Sequence, residues 1–263
     1  MNLLILPLTT PLTPAPVSEN VLTRRNVVVG ASLLCFCVDP QWGRLYFVLG
    51  KERKNLQWSS GSERWSDFGG RTARTDSGPE MTAAREFLEE TLAMVRYFET
   101  DTIPRCGYSD IAESLQRGEY TFQFTLELGI VDDVRRCYMT FVKQIPWDTH
   151  MMYRFNMCRN MIMNVSLHYA SPNWTELLTN HPAIILAPNN NALTCKIRKP
   201  FLEKKSIALW SVPQLQHAMD FDGIMCSRNG NVERCRPAFT SFIEFLLSEL
   251  NFYYPESIDE TPH

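Results

Sequence analysis

The sequence predicts an α/β (α+β) chain in which a mixed β-sheet is sandwiched between α-helices. Two runs of β-branched and apolar residues lie back to back near the N-terminus, an amphipathic helix with an acidic face follows, and further strand-like runs lead to an apolar C-terminal helix. Composition permits such a core, since 44% of the 263 residues are hydrophobic and 21% charged. A single domain over 21–263, preceded by an arm over 1–20, is the expected organisation.

The arm, MNLLILPLTTPLTPAPVSEN, mixes prolines with Ser and Thr and has neither helical nor strand periodicity. It reads as an extended segment, free or docked on a protein partner. The apolar stretch from Leu3 to Leu8 is cut by Pro7 and has no basic residue before it, so it makes a poor signal peptide and is too short to span a bilayer. The 8 cysteines are scattered without a C-x-x-C pair, as in reduced intracellular proteins. An intracellular, cytoplasmic location with no membrane contact is expected. A formal net charge of -3 gives no global attraction for nucleic acid or an anionic surface, so a polyanion would need a local cluster or a metal.

NVVVGASLLCFCV (from Asn26) and RLYFVLGKER (from Arg44), separated by the turn-like DPQWG, predict a buried hairpin. A polar loop then closes on the strand end Trp65-Ser-Asp-Phe-Gly-Gly70. Pro79 suits a first helical turn, and Ala84, Phe87, Leu88, Leu92 and Val95 fall at helical spacing. YTFQFTLELGIV and CYMTFVKQI predict two more strands. Residues 148–180 are rich in Met and aromatic residues and read as a helical insertion, its Met stripe being core filler before it is a binding surface. AIILAPNNNALTCKIRKPFLEKKSIALW reads as strand, loop, strand; SVPQLQHAM as a short helix; PAFTSFIEFLLSEL as the amphipathic C-terminal helix.

On the acidic helix, Glu86, Glu89 and Glu90 stand at i, i+3 and i+4, which puts three carboxylates on one side within a turn. Alone, that is a solvated acidic face. Delivered by a glycine-lined strand end, it suits a hard divalent cation such as Mg2+ or Mn2+, which takes oxygen ligands.

Gly69-Gly70 followed by Arg85-Glu86-Phe87-Leu88-Glu89-Glu90 resembles the Nudix hydrolase signature, G-x5-E-x7-R-E-U-x-E-E-x-G-U with U aliphatic. The match covers 69–93, and Trp210-Ser-Val-Pro-Gln-Leu is similar to the family's late strand-to-helix junction. The resemblance implies a Nudix-like fold and a metal-dependent hydrolase that directs water at the diphosphate of a nucleoside diphosphate derivative. It assigns metal binding to Glu86, Glu89 and Glu90, with the Gly70 carbonyl as a further ligand. It also implies that Arg85 pairs with a carboxylate that is not itself a metal ligand, and that a carboxylate drawn from before the late tryptophan, here Glu203, serves as a ligand or as proton acceptor. Flanked by Lys204 and Lys205, Glu203 is expected to stay ionised near neutral pH. The chain departs from the pattern in three places. Asp76 or Glu80 stands for the first glutamate, Leu92 replaces the last glycine, and Ala93 takes the last aliphatic position.

The basic residues Lys196, Arg198, Lys199, Lys204 and Lys205 around Glu203 read either as a solvated hairpin or as a patch for phosphate or RNA, and Lys196, Arg198 and Lys199 with Trp65 are the candidate substrate contacts. Three functions follow: hydrolysis of a small nucleoside diphosphate derivative, removal of the 5' cap of mRNA (decapping), or a catalytically inactive Nudix-fold module that binds a partner.

Overall fold

The computed structural model describes residues 3–4, 26–54, 62–100, 107–163, 183–189, 192–227 and 229–253. In chain order its strands are β1 (Leu3–Leu4), β2 (Asn26–Val38), β3 (Leu45–Glu52), β4 (Trp65–Ser66), β5 (Phe68–Arg71), β6 (Phe122–Val131), β7 (Val134–Gln144), β8 (Ile184–Asn189), β9 (Ala192–Ile197), β10 (Lys204–Ser211), β11 (Ile224–Cys226) and β12 (Val232–Arg234). The helices are α1 (Pro79–Glu90), α2 (Tyr108–Gln116), α3 (Met151–Met163), α4 (Val212–Asp220) and α5 (Pro237–Tyr253), with a 3-10 turn at Lys199–Leu202.

Strand β2 is the axis of the sheet. Its continuous apolar run is buried on both faces, as a central strand requires. It pairs in parallel with β7 along nearly its whole length, and on its other side with β5 through Gly30–Leu33 and with β3 through Cys35–Val38, both antiparallel. The sheet runs β1-β6-β7-β2-β3-β10, with β4 on β3 and β5 on β2. Leu3 and Leu4 pair with the outer edge of β6, so this much of the N-terminal arm is a strand. Residues 5–25 lie outside the described residues.

Each face of the sheet carries its own core. On one, α1 and α2 lay Ala84, Phe87, Leu88, Ile111 and Leu115 against Leu33, Phe68 and Phe141, and α3 adds Phe155 and Ile162. On the other, α4 and α5 lay Leu215, Phe239, Ile243, Leu246 and Leu250 against Leu34, Phe36, Phe47 and Trp210. Alternation along β2 feeds the two layers in turn, Leu33 and Cys35 one way, Leu34 and Phe36 the other. The result is the mixed sheet between helices that the sequence predicts. Each fully buried Leu or Phe contributes about 1.5–3 kcal/mol through area removed from water.

The helix of the motif is shorter than its periodicity predicts. Leu92 and Val95 are buried as expected, but α1 ends at Glu90. Leu92 and Ala93 stand at φ 55 and φ 52, and Ala93 N–H donates to the Leu88 carbonyl at 2.9 Å while Leu92 N–H donates to Glu89 at 3.3 Å. This is a Schellman closure whose left-handed position normally takes glycine. Leu92 therefore occupies the place of the signature's last glycine in the backbone conformation that glycine would have, and burial in the core offsets the strain.

Helix α2 was not anticipated from the sequence. Its cap is Gly107, whose N–H is held by the Asp110 carboxylate at 2.8 Å, and it buries only a narrow stripe. The helical insertion expected at 148–180 is described only as far as α3, and 164–182 lie outside the described residues. The segment read as strand, loop, strand holds the separate β8–β9 hairpin before β10 joins the main sheet. No helix among the described residues is long and apolar enough to cross a membrane.

Candidate active site on the acidic helix

Strand β5 brings the backbone under α1, and its two glycines do different things there. A Cβ on Gly69 would lie 2.2 Å from the Ser32 Cβ, so only glycine lets β5 approach β2 this closely. A Cβ on Gly70 would lie 2.4 Å from Glu86 Oε1, so the missing side chain is the space in which that carboxylate rests. The Gly70 carbonyl oxygen lies over Gly30, where a Cβ would come within 2.6 Å of it.

Arg85 is the hub of the outer part of the site. Its Nε and Nη2 donate to Asp76 Oδ1 and Oδ2, both at 3.0 Å, and Nη2 also donates to the Arg71 carbonyl at 3.1 Å. Its Nη1 donates to Glu86 Oε1 at 2.9 Å and Glu89 Oε2 at 3.1 Å. Asp76, rather than Glu80, is thus the carboxylate that orients the arginine. Burial works to raise the Asp76 carboxyl, but hydrogen bonds from Arg85, the Ala73 N–H and Thr82 outweigh it and hold the group below its usual range. For Arg85 burial works the other way, and its carboxylate partners raise the guanidinium above its ordinary value.

The inner part is shielded from solvent by burial. Glu90 is buried, with Oε2 accepting from the Gly69 N–H at 2.9 Å. Its Oε1 lies 3.2 Å from the Lys204 ammonium, which also sits 2.5 Å from Glu52 Oε1, 3.1 Å from Ser66 Oγ and 3.3 Å from the Asp67 carbonyl. Burial pushes the Glu90 carboxyl well up, with Lys204 opposing and Glu52 adding to the rise. The same two carboxylates keep Lys204 charged: burial lowers it, they more than compensate, and its value is raised.

The surroundings of Glu203 are not those its two lysine neighbours suggest. Its carboxyl is raised, first by burial and then by Glu86 and Glu52, with Lys204 a weaker opposing influence. Lys204 turns inward to Glu52 and Glu90, and Lys205 donates to Glu63 at 2.7 Å, so neither neighbour pairs with Glu203. Glu86 and Glu89 are likewise raised by burial, against the pull of Arg85.

The basic cluster does not form one patch. Arg198 and Lys199 are exposed, Lys196 lies on β9 opposite Ile185, and Lys204 belongs to the core. Trp65, expected as a stacking platform, is 5% exposed on the far face of the sheet. There it donates to Glu233 at 3.0 Å and meets Trp210 edge to face with ring centroids 5.1 Å apart. Strand alternation explains this, since Ser66 takes the α1 face and leaves Trp65 on the other. Sequence reasoning missed Glu52 and Ser66, because strand-end polar residues 34 and 20 positions before Glu86 carry no spacing signal.

Among the described residues no three acidic, His or Cys side chains converge at metal-ligand spacing as they stand. Arg85 draws Glu86 and Glu89 to itself, and Lys204 draws Glu90. The donor set nevertheless fits a divalent cation. It is all oxygen, the carboxylates outnumber Arg85 and Lys204, and Gly70 leaves the cradle that seats Glu86.

No family model matches the chain, and no curated protein does. Solved structures that it matches include a NUDIX hydrolase from Alicyclobacillus acidocaldarius (10% identity, 87% of this chain and 95% of that one, TM-score 0.39). The NUDIX domain of Shewanella oneidensis NrtR complexed with ADP ribose matches at 8% identity over 89% and 94%, with a TM-score of 0.37. An Ap4A hydrolase from C. elegans matches at 9% identity over 85% and 99%, with a TM-score of 0.33.

Proposed function

We propose that the chain is a Nudix-type pyrophosphohydrolase, a metal-dependent hydrolase that cleaves the diphosphate linkage of a nucleoside diphosphate derivative. One observation carries the reading: Arg85, gripped by Asp76, gathers Glu86 and Glu89 beside the side-chain-free Gly70, and Glu203, just before β10, lies within reach of their charge. Mg2+ or Mn2+, which Glu86 and Glu89 would hold, would supply charge neutralisation for the diphosphate. Arg85 holds both carboxylates on one side of α1 and ties that helix to the Arg71 carbonyl. The Glu203 carboxylate would accept the proton of the attacking water, a role suited to a carboxyl that burial raises above its ordinary value.

A longer substrate, the capped end of an mRNA, is favoured by one feature. Arg198 and Lys199 are exposed within five residues of Glu203, where they would meet phosphates leading away from the cleaved bond. Formation of the two phosphate-bearing products with Mg2+ and with Mn2+, over a panel of nucleoside diphosphate derivatives and cap-labelled RNA, tests both. Cleavage of the small compounds alone leaves the first reading, and cleavage of capped RNA that falls in R198A/K199A establishes the second. Nucleotide binding without cleavage of any member would place the chain among inactive modules of this fold.

A further inference from the structure

The carboxylate cluster already contains a cation. The Lys204 side chain is 0% exposed, and its ammonium is surrounded by four oxygens: Glu52 Oε1, Glu90 Oε1, Ser66 Oγ and the Asp67 carbonyl. Carboxylates, a hydroxyl and a backbone carbonyl are the hard oxygen set that would otherwise receive a divalent ion. The cavity is shaped for the lysine. A Cβ on Gly50 would come within 2.9 Å of the Lys204 Cδ and of Phe68, so glycine on β3 makes room for the aliphatic stem. The register supports it, because a bulge between Lys204 and Ser206 adjusts β10 against β3 where the lysine enters the core. Both oxygens of Glu90 are engaged, one by Lys204 and one by the Gly69 N–H.

We propose that Lys204 is a built-in counter-cation that fills the inner half of the cluster, so that divalent metal is confined to the outer half on Glu86 and Glu89, and Glu90 is a partner of Lys204 instead of a metal ligand. This rests on the metal-dependent reading above and sharpens it. A compact ammonium on a flexible stem offers three donors to the four oxygens and carries one charge where a metal carries two. The inner carboxylates are therefore screened without being opened to water.

Mn2+ alone is the probe, titrated into the full chain without substrate and followed by calorimetry and by the loss of free-ion EPR signal. Wild type is expected to take one Mn2+ per chain. K204M, with Glu52 and Glu90 left facing each other, is expected to take a second. E90Q keeps an amide oxygen for the Gly69 N–H and should hold the first ion within about twofold of wild type, whereas E86Q and E89Q should weaken it about tenfold or more. An E90Q loss equal to that of E86Q overturns the counter-cation assignment and leaves the metal centre standing, as does a wild type that takes two ions in the cluster or a folded K204M that gains none. If K204M does not fold, E90Q decides the question. A wild type that binds no Mn2+ overturns the metal-dependent reading and this inference with it.

Discussion

Arg85 meets Asp76 edge-on, Nε and Nη2 each 3.0 Å from a different carboxylate oxygen, although the two residues lie on either side of the start of α1. That fork fixes the loop after β5 to the helix and leaves Nη1 for Glu86 and Glu89.

Asp76→Ala is expected to destabilise the fold by about 1.5–3 kcal/mol, the range for charge-assisted hydrogen bonds whose partner is left behind. Glu80→Ala should stay within about 0.5 kcal/mol, as for a surface change away from any such contact. Urea denaturation of both variants measures this, and equal losses would show that Asp76 has no special place.

The two glycines of β5 should respond differently to Ala. Gly69→Ala sets a methyl group against the Cβ and Cα of Ser32, so backbone must move and the thermal midpoint should fall by several degrees. The nearest atoms that Gly70→Ala meets belong to the far end of the Glu86 side chain rather than to backbone. This substitution should leave the midpoint nearly unchanged and weaken Mn2+ binding, which a paired melt and metal titration would separate.

Glu89→Gln is expected to lower turnover by at least two orders of magnitude while leaving the melting temperature unchanged or slightly higher. Its carboxyl is raised by burial and by Glu86, so neutralising it relieves a cost that the metal-free fold carries. A clear drop in melting temperature together with unchanged turnover would reverse the assignment.

The Asp148–Arg154 pair supplies a pH dependence away from the site. Burial works to raise Asp148, but Arg154 and the His150 N–H hold it below its usual range, and Arg154 also donates to the Met94 carbonyl at 3.2 Å, tying α3 to the exit of α1. A depressed folded value means the stabilisation is present above the unfolded value near about 3.9 and is lost as pH falls through the folded one. The stability difference between wild type and Asp148→Asn should be full at pH 6 and shrink below about pH 4. A difference constant across that range would contradict it.

The sequence made the outer site legible because it is local. Glu86, Glu89 and Arg85 share a helix face, and their partner Asp76 lies nine positions before Arg85. The strands β2, β3, β6, β7 and β10 were legible for the same reason, each being a run with its own apolar pattern. The inner site was not, because Lys204 reaches Glu52 and Ser66 across 152 and 138 positions through the pairing of β10 with β3, and nothing in a run of basic residues marks the one that turns inward. Trp65 was misplaced by the same limit: in a two-residue strand, alternation does not tell which face is which.

The most direct test of the metal-dependent pyrophosphohydrolase reading is the rate of phosphate-anhydride cleavage by wild type and Glu86→Gln, with Mn2+ and again with excess EDTA. The arrangement of Arg85, Glu86 and Glu89 predicts cleavage with Mn2+ that is abolished by EDTA and reduced at least a hundredfold in the variant, about 2.7 kcal/mol of transition-state stabilisation. Cleavage that survives EDTA, or a variant as fast as wild type, would contradict it.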